Sequence, residues 1–402
     1  MKKGWTIKKL AEICEIERGG SPRPIDNYLT TNEEGINWIK IGDTKGVTKY
    51  ITKTEQKIRT EGAKRSRMVF EGDFILSNSM SFGRPYIMKT TGCIHDGWLV
   101  LRHPKVDQDY LYHVLSSDLV FSQFDRLAAG STVRNLNIGL VKGVQIPVPP
   151  LPEQQRIIAI LDEAFEGIAT AKANAEKNLQ NARALFESHL QSVFTRRGKG
   201  WVDRPLSELC DIKHGFAFKS EFFTSAGDYI LLTPGNFYES GGYRDRGEKQ
   251  KYYSGEIPDG FVLSEGDLLV AMTEQAAGLL GSPILIPESG KFLHNQRLGL
   301  VTRKQGIPWT NEFFFHVFNT QAVRKAIHDN ASGVKVRHTS PTKIGEVVVS
   351  FPTSLSEQQT IVSKLIELKE ETQRLESLYQ QKLAALEELK KSLLHQAFTG
   401  QL

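Results

Sequence analysis

The chain has little that covalent chemistry could use. Its 402 residues include three cysteines, Cys14, Cys93 and Cys210, too few and too scattered for a disulfide framework or a CxxC metal site. That scarcity fits a reducing cytoplasm, the expected location. The basic opening stretch MKKGWTIKKLAEICEIE has no apolar segment and does not read as a signal peptide. No run of about 18 apolar residues occurs, so no membrane-spanning helix is expected. A GxxxxGK phosphate loop, HExxH, GxSxG and the NPPY of amino-methyltransferases are all missing; VPPLPEQ (148–154) has the prolines of the last but not its Asn or Tyr. The ten histidines do not pair at metal-ligand spacing. His95 and His294 stand in matched contexts, CIHDGW and FLHNQR, and read as structural residues. With these motifs missing, the sequence reads as a binding module and not as a self-contained enzyme.

What is present is ordinary in bulk and unusual in arrangement. Hydrophobic residues make up 40% and charged residues 24%, normal for a globular protein, and the length suits two or more domains. Net charge is +5, a mild basic excess that permits a nucleic-acid partner. Residues 149–161, PPLPEQQRIIAIL, recur as TSLSEQQTIVSKL at 353–365, and the match continues without a gap to Phe194-Thr195 and Phe398-Thr399. Upstream of each copy, WTIKKLAEICEIERG (5–19) parallels WVDRPLSELCDIKHG (201–215). EGDFIL (71–76) parallels EGDLLV (265–270), and AAGSTVRN (128–135) parallels NASGVKVRH (330–338). The offset drifts from 196 to 204, so one unit of about 200 residues is written twice, with about eight extra residues in the globular part of the second copy.

Each unit has two parts. The first, about 150 residues, has short apolar runs between turns: INWIKI (36–41), DFILS (73–77), GWLVLR (97–102) and FVLSEGDLLVAM (261–272) read as strands, and DYLYHVLSSDLVFSQF (109–124) as one helix. The second part is a rod. Ile157, Leu161, Ala164, Ile168, Ala171, Ala175, Ala182 and Leu185 recur at steps of four and three; so do Ile361, Leu365, Leu368, Leu375, Tyr379, Leu386, Leu389 and Leu393. Pro152 suits a first helical turn, Ser354-x-x-Glu357 fits a capping box, and Gly198 and Gly400 suit helix stops. Two amphipathic helices must bury their seams, and the Ala-rich and Leu-rich stripes can interdigitate. Pseudo-symmetry predicts that the rods run antiparallel with one globular domain at each end. The expected fold is therefore α+β: two pseudo-symmetric repeats, each a β-rich α/β domain (1–150 and 198–352) followed by a long helix (151–197 and 353–402), the helices packing as an antiparallel coiled coil.

Charge separates along the same boundaries. The rods (153–195 and 356–402) hold ten basic and thirteen acidic residues, so the globular parts carry a net +8. Phosphate neutralisation needs Lys and Arg there. Candidate DNA contacts lie in basic loops: Arg18, Ser21 and Arg23 with the equivalent Lys213, His214 and Lys219; Lys64, Arg65 and Arg67; Arg244, Arg246, Lys249, Lys251 and Tyr252; Arg84 and Arg297. Arg134 and Asn135, with Lys335, Arg337 and His338, lie just before the exit to each rod. Arg can clamp a phosphate or read guanine, and Asn can read adenine. The Val-Arg shared by both copies, at Arg134 and Arg337, suits either DNA contact or a fold-holding role.

PLPEQQRIIAIL with its second copy, AAGSTVRNLN before it and the closing AFTGQL resemble the specificity subunit of type I restriction-modification systems, over the whole chain. The resemblance implies that each globular part is a target recognition domain reading one half of a bipartite, asymmetric DNA sequence. It implies that the rods space the half-sites and dock two methyltransferase subunits, with Glu153, Gln154, Gln155, Phe194, Glu357, Gln358, Gln359 and Phe398 as docking candidates. Motor-nuclease subunits join that assembly. S-adenosylmethionine would sit on the methyltransferases, and ATP and magnesium on the motors, leaving this chain without a cofactor or catalytic role. A scaffold that reads no sequence and a self-contained DNA-modifying enzyme are the alternatives.

Overall fold

Both rods form as single helices of 45 residues, Leu151–Thr195 and Leu355–Thr399, in the computed structural model, which describes residues 2–78, 83–128, 136–274 and 278–402. Pro152 occupies the first turn of one, where its missing N–H costs nothing. Ser354 caps the other by accepting from the Glu357 N–H at 3.3 Å. The reciprocal half of the expected capping box is not formed among the described residues; the Glu357 carboxylate accepts instead from the Trp201 indole at 2.9 Å. Gly400, at φ +77°, ends the second rod in the left-handed conformation that glycine adopts without strain. Gly198 lies three residues beyond the first rod and is not its terminator.

Contacts divide the chain into two units, Met1–Lys177 with Gln380–Leu402, and Asn178–Tyr379. Each rod therefore contributes one end to each unit. In the first unit, Ile157 and Leu161 pack with Leu394, Ala397 and Phe398. Arg156 reaches the Leu402 carbonyl at 2.8 Å and Lys172 pairs with Glu387 at 2.6 Å, so the rods run antiparallel there. In the second unit, Arg183 pairs with Glu376 at 3.1 Å, and Phe194 shares a core with Ile361 and Val362, again antiparallel. These exposed ion pairs fix register more than they add stability. The seam departs from the expected residues at Leu185 and Leu389, each 47% exposed, while Leu190 and Leu394 are buried. A 3.6-residue turn drifts against a 3.5-residue pattern, so after several heptads the next residue round the helix takes the buried place.

Within the first unit, one five-stranded sheet runs in the order Glu15–Arg18, Trp98–Arg102, Phe74–Ser77, Pro85–Met88, Tyr50–Ile51. A second runs Leu29–Thr30, Gln56–Ile58, Ile36–Ile39, Gly92–Ile94, Arg67–Val69. A ribbon of Thr6–Lys9 and Gln145–Val148 ties the start of the unit to the rod entry. The central strands are buried on both faces. Phe74, Leu76, Leu99 and Leu101 meet the helices, while Ile75, Trp98 and Val100 face the other core. That explains their unbroken apolar runs. The second unit repeats the plan with two four-stranded sheets, Cys210–His214, Leu298–Arg303, Leu268–Ala271, Pro283–Leu285 and Phe223–Thr224, Tyr252–Tyr253, Tyr229–Leu231, Phe292–Leu293, and a ribbon of Trp201–Pro205 with Val348–Pro352.

The helix expected over 109–124 is two helices, Gln108–Leu115 and Asp118–Ala128. Ser116 and Ser117 divide them: their hydroxyls donate to the Tyr112 and Val114 carbonyls at 2.8 and 2.6 Å, competing with the helical ladder. The second unit breaks at the same register, between Asn311–Phe318 and Gln321–Asp329, where the Thr320 hydroxyl caps the Val323 N–H at 3.4 Å.

Candidate nucleic-acid interface

The two basic loops that follow Glu15–Arg18 and Cys210–His214 are built on one glycine each. A Cβ on Gly19 would lie 2.0 Å from the His95 carbonyl oxygen, and one on Gly215 2.2 Å from that of Asn295. Only glycine permits this approach, and it aligns His95 with Asn295. His294 aligns with Ile94, since Gly20 N–H donates to the Ile94 carbonyl at 3.1 Å and Phe216 N–H to that of His294 at 2.9 Å. The two histidines are thus one register position apart and are not counterparts. His294 is fully buried, its Nε2 on the Leu298 carbonyl at 2.9 Å; His95 is part-buried and its Nδ1 accepts from the Gly97 N–H at 2.7 Å.

In the first unit the loop closes on Asp96. Ser21 donates to its carboxylate at 2.6 Å, Arg23 pairs with it at 3.3 Å, and Arg18 donates to its carbonyl at 3.1 Å. The Ser21 hydrogen bond, with help from the nearby Arg23, holds the Asp96 carboxyl below its usual range. Arg23 stays 81% exposed, so its remaining donors face solvent. Close by, Lys64 is exposed, Arg65 lies over the Tyr28 ring at 5.7 Å, and Arg67 pairs with Glu17 at 3.3 Å. Arg84 is exposed, 5.5 Å from the Tyr86 ring.

In the second unit the equivalent loop is aromatic. Phe216 and Phe222 are exposed beside exposed Lys213, His214 and Lys219. The Lys213 ammonium lies 4.5 Å from the Phe261 ring centre, and that of Lys251 5.5 Å from Phe223. Arg244 lies over Tyr238 at 5.8 Å, Lys249 and Arg297 are exposed, Tyr252 is half-buried, and Arg246 is half-buried over Gly235.

Arg337 does not stand free. It is half-buried, its guanidinium on the His328 ring and donating to the His328 carbonyl at 3.2 Å, while His328 approaches the buried Glu274 carboxylate at 3.7 Å. Glu274 in turn accepts from the N–H groups of Gly278, Leu279 and Leu280 at 3.1, 3.0 and 2.9 Å. Of the two roles open to Arg337, the geometry supports the fold-holding one. Arg337→Ala is expected to destabilise the second unit by about 1 kcal/mol in urea titration; loss of DNA affinity at unchanged stability would reverse that assignment. Lys335 and His338 beside it are exposed. Arg134 and Asn135 lie outside the described residues.

The docking candidates separate by burial. Gln154 accepts from the Asp107 N–H at 2.8 Å and donates to the Pro149 carbonyl at 2.8 Å. Gln358, fully buried, accepts from the Thr310 N–H at 3.0 Å and donates to the Pro308 and Pro352 carbonyls, both at 2.9 Å. Phe398 is buried against Tyr110 at 5.6 Å, and Phe194 packs on Trp201 and Phe313 at 5.8 and 5.4 Å. Gln154, Gln358 and Phe398 are thus interior to the fold, where a docking partner has no access. They were missed as clamps because nothing local marks a glutamine whose partner is some 50 residues away. Glu153 is held by Arg156 and Lys2, which depress its carboxyl to about 2. Gln155 and Gln359 are exposed, each one turn from an exposed leucine, Leu151 and Leu355.

The family model of the type I restriction modification DNA specificity domain matches residues 2–180 and again 198–387. The chain belongs to this specificity-domain family. The chain is 27% identical over 236 residues to the type I restriction enzyme EcoBI specificity subunit of Escherichia coli, covering 58% of this chain and 44% of that one. The MjaIX specificity subunit of Methanocaldococcus jannaschii is 26% identical over 53% of each, so the chain spans about half the length of these two curated relatives. The MjaVIII subunit of the same organism is 21% identical over 99% of this chain and 93% of its own. Among solved structures, the HsdS subunit from Thermoanaerobacter tengcongensis shares the fold at TM-score 0.68 and 18% identity, covering 100% of this chain and 98% of that one. A chain from a structure of a type I R-M system does so at TM-score 0.78 and 18% identity, covering 100% and 99%. The two matches of the specificity-domain model coincide with the two copies of the repeat.

Proposed function

We propose that this chain is the DNA-reading, non-catalytic subunit of a type I restriction-modification complex. Each unit reads one half of a bipartite, asymmetric target. The observation that carries this reading is one fold written twice whose glycine-pivoted basic loops differ in chemistry: guanidinium, hydroxyl and carboxylate in the first, lysine and phenylalanine in the second. Similar frames with different loops suit half-sites of different sequence. Methylome sequencing of cells carrying the chain with its methyltransferase is expected to show one motif split by an unspecified spacer. A contiguous motif, or none from an active complex, would count against the reading.

The rods supply spacing and docking in this proposal. Leu151 with Gln155 and Leu355 with Gln359 present the same exposed pair at the same register of each helix, which suits two copies of one methyltransferase partner. Motor-nuclease subunits would join through that assembly. S-adenosylmethionine, ATP and magnesium would be held by those partners, and the assembly would work in the cytoplasm on duplex DNA. Inserting four residues into both rods, after Lys177 and after Tyr379, lengthens each by roughly 6 Å. The spacer in the methylated motif is expected to grow by about 2 base pairs; an unchanged spacer would remove the rods from the ruler role.

A further inference from the structure

The loop at Phe216 differs from its counterpart in a way the fold does not require. Phe216 occupies the register position of Gly20, with the same backbone bond to the neighbouring strand: Gly20 N–H to the Ile94 carbonyl at 3.1 Å, Phe216 N–H to the His294 carbonyl at 2.9 Å. The architecture is thus satisfied there with no side chain at all. Yet the second unit places a phenyl ring at this point and leaves it 36% exposed. Edge-on contacts to Phe218 at 5.1 Å and a tilted one to Phe261 at 5.4 Å hold the ring from behind. Two exposed lysines lie within three residues of it in sequence: Lys213, whose ammonium is 4.5 Å from the backing Phe261 ring and forms no ion pair among the described residues, and Lys219, 3.9 Å from Glu221; His214 is exposed beside them. An exposed ring fixed by aromatic backing within a cationic rim suits a duplex whose phosphates meet the rim and whose apolar edge meets the ring. The one apolar group at a base edge in the major groove is the thymine C5 methyl.

We infer that Phe216 reads a thymine methyl in the half-site of the second unit, whereas the first unit reads its half through the polar Arg23–Asp96–Ser21 loop. This rests on the proposed DNA-reading function and names the chemistry by which one half-site is chosen.

Once the methylome has given the target, each thymine is replaced singly by deoxyuridine, which removes only the methyl, and binding is titrated at fixed salt with the full chain and its methyltransferase subunits. At one thymine, in one half-site only, affinity is expected to fall roughly four-fold, what one buried methyl contributes. Phe216→Ala should bind the thymine and uracil duplexes equally, and Phe216→Leu, which keeps an apolar contact, should retain part of the difference. Native protein indifferent to every substitution, or Phe216→Ala with undiminished discrimination, overturns the inference while a bipartite target stands. Absence of any bipartite target overturns the underlying reading, and the inference with it.

Discussion

Gln358→Ala is expected to lower the stability of the second unit by roughly 3 kcal/mol, and Gln359→Ala, one residue on, by less than about 0.5 kcal/mol. The contrast comes from where the two amides go. Gln358 sits at zero exposure and ties three segments together: the first turn of its rod, the Pro352 carbonyl at the end of the ribbon, and the Pro308–Thr310 turn that starts the helix Asn311–Phe318. Truncation leaves the buried Pro352 carbonyl and the part-buried Thr310 N–H and Pro308 carbonyl without their partner; a buried group so stranded costs about 1–3 kcal/mol, and the two part-buried ones less, since water can reach them. Gln154→Ala repeats the experiment in the first unit, with one N–H and one carbonyl released. Gln359 and Gln155 point to solvent, so their loss should leave the urea midpoint in place; if they dock a methyltransferase as proposed, it should weaken that binding instead. Equal midpoints for Gln358→Ala and Gln359→Ala would show that the clamp contributes nothing.

This pair shows what the residues declare and what they withhold. The rods were legible because their determinants are local: apolar steps of three and four, Pro152 at one end and Gly400 at the other, and a gapless repeat that forces equal length. The strands were legible from runs such as Phe74–Ser77, although burial on both faces removes the alternation that would have told one face from the other. Ser116 and Ser117 carried the signal for a helix break, but the apolar period on both sides outweighed it. The fates of Gln154, Gln358 and Arg337 were not legible. Each depends on a partner distant in sequence or on a loop conformation, and a glutamine in an EQQ triplet looks the same whether its amide meets a carbonyl or a partner protein. Leu185 and Leu389 failed for a geometric reason, since a strict heptad count ignores the drift of an unwound seam. The basic positions were legible but not their setting: Arg18, Arg67, Lys213, His214 and Tyr252 lie on strands and not in loops, and periodicity does not tell Arg23, 81% exposed beside Asp96, from Arg67, paired with Glu17.

The second unit is also expected to lose stability in mild acid, from two histidines buried uncharged. His316 is 7% exposed and its Nδ1 has no hydrogen-bond partner among the described residues; His294 is fully buried, with its Nδ1 likewise unpartnered among them. Burial pushes both down to about 4, and Lys369 beside His316 and Lys213 beside His294 push the same way. An unfolded histidine titrates near 6.5, so between about 6.5 and about 4 the unfolded chain binds protons that the folded unit refuses. Stability therefore is complete above about pH 6.5, falls as pH drops through this window, and levels off below about 4. At pH 5 each histidine should remove about 2 kcal/mol. His316→Phe, which fills an apolar site already lined by Phe186 and Phe315, should flatten part of the slope between pH 7.5 and pH 5. The first unit has a built-in contrast: His113 is also buried and lowered, but its Nε2 lies 3.0 Å from the Asp162 carboxylate on the rod, which offsets part of the burial. Asp162→Asn should therefore steepen the acid sensitivity of the first unit and leave that of the second unchanged. A urea midpoint for the native chain that is flat from pH 7.5 to pH 5 would mean that both buried rings find a proton acceptor when the unit is acidified.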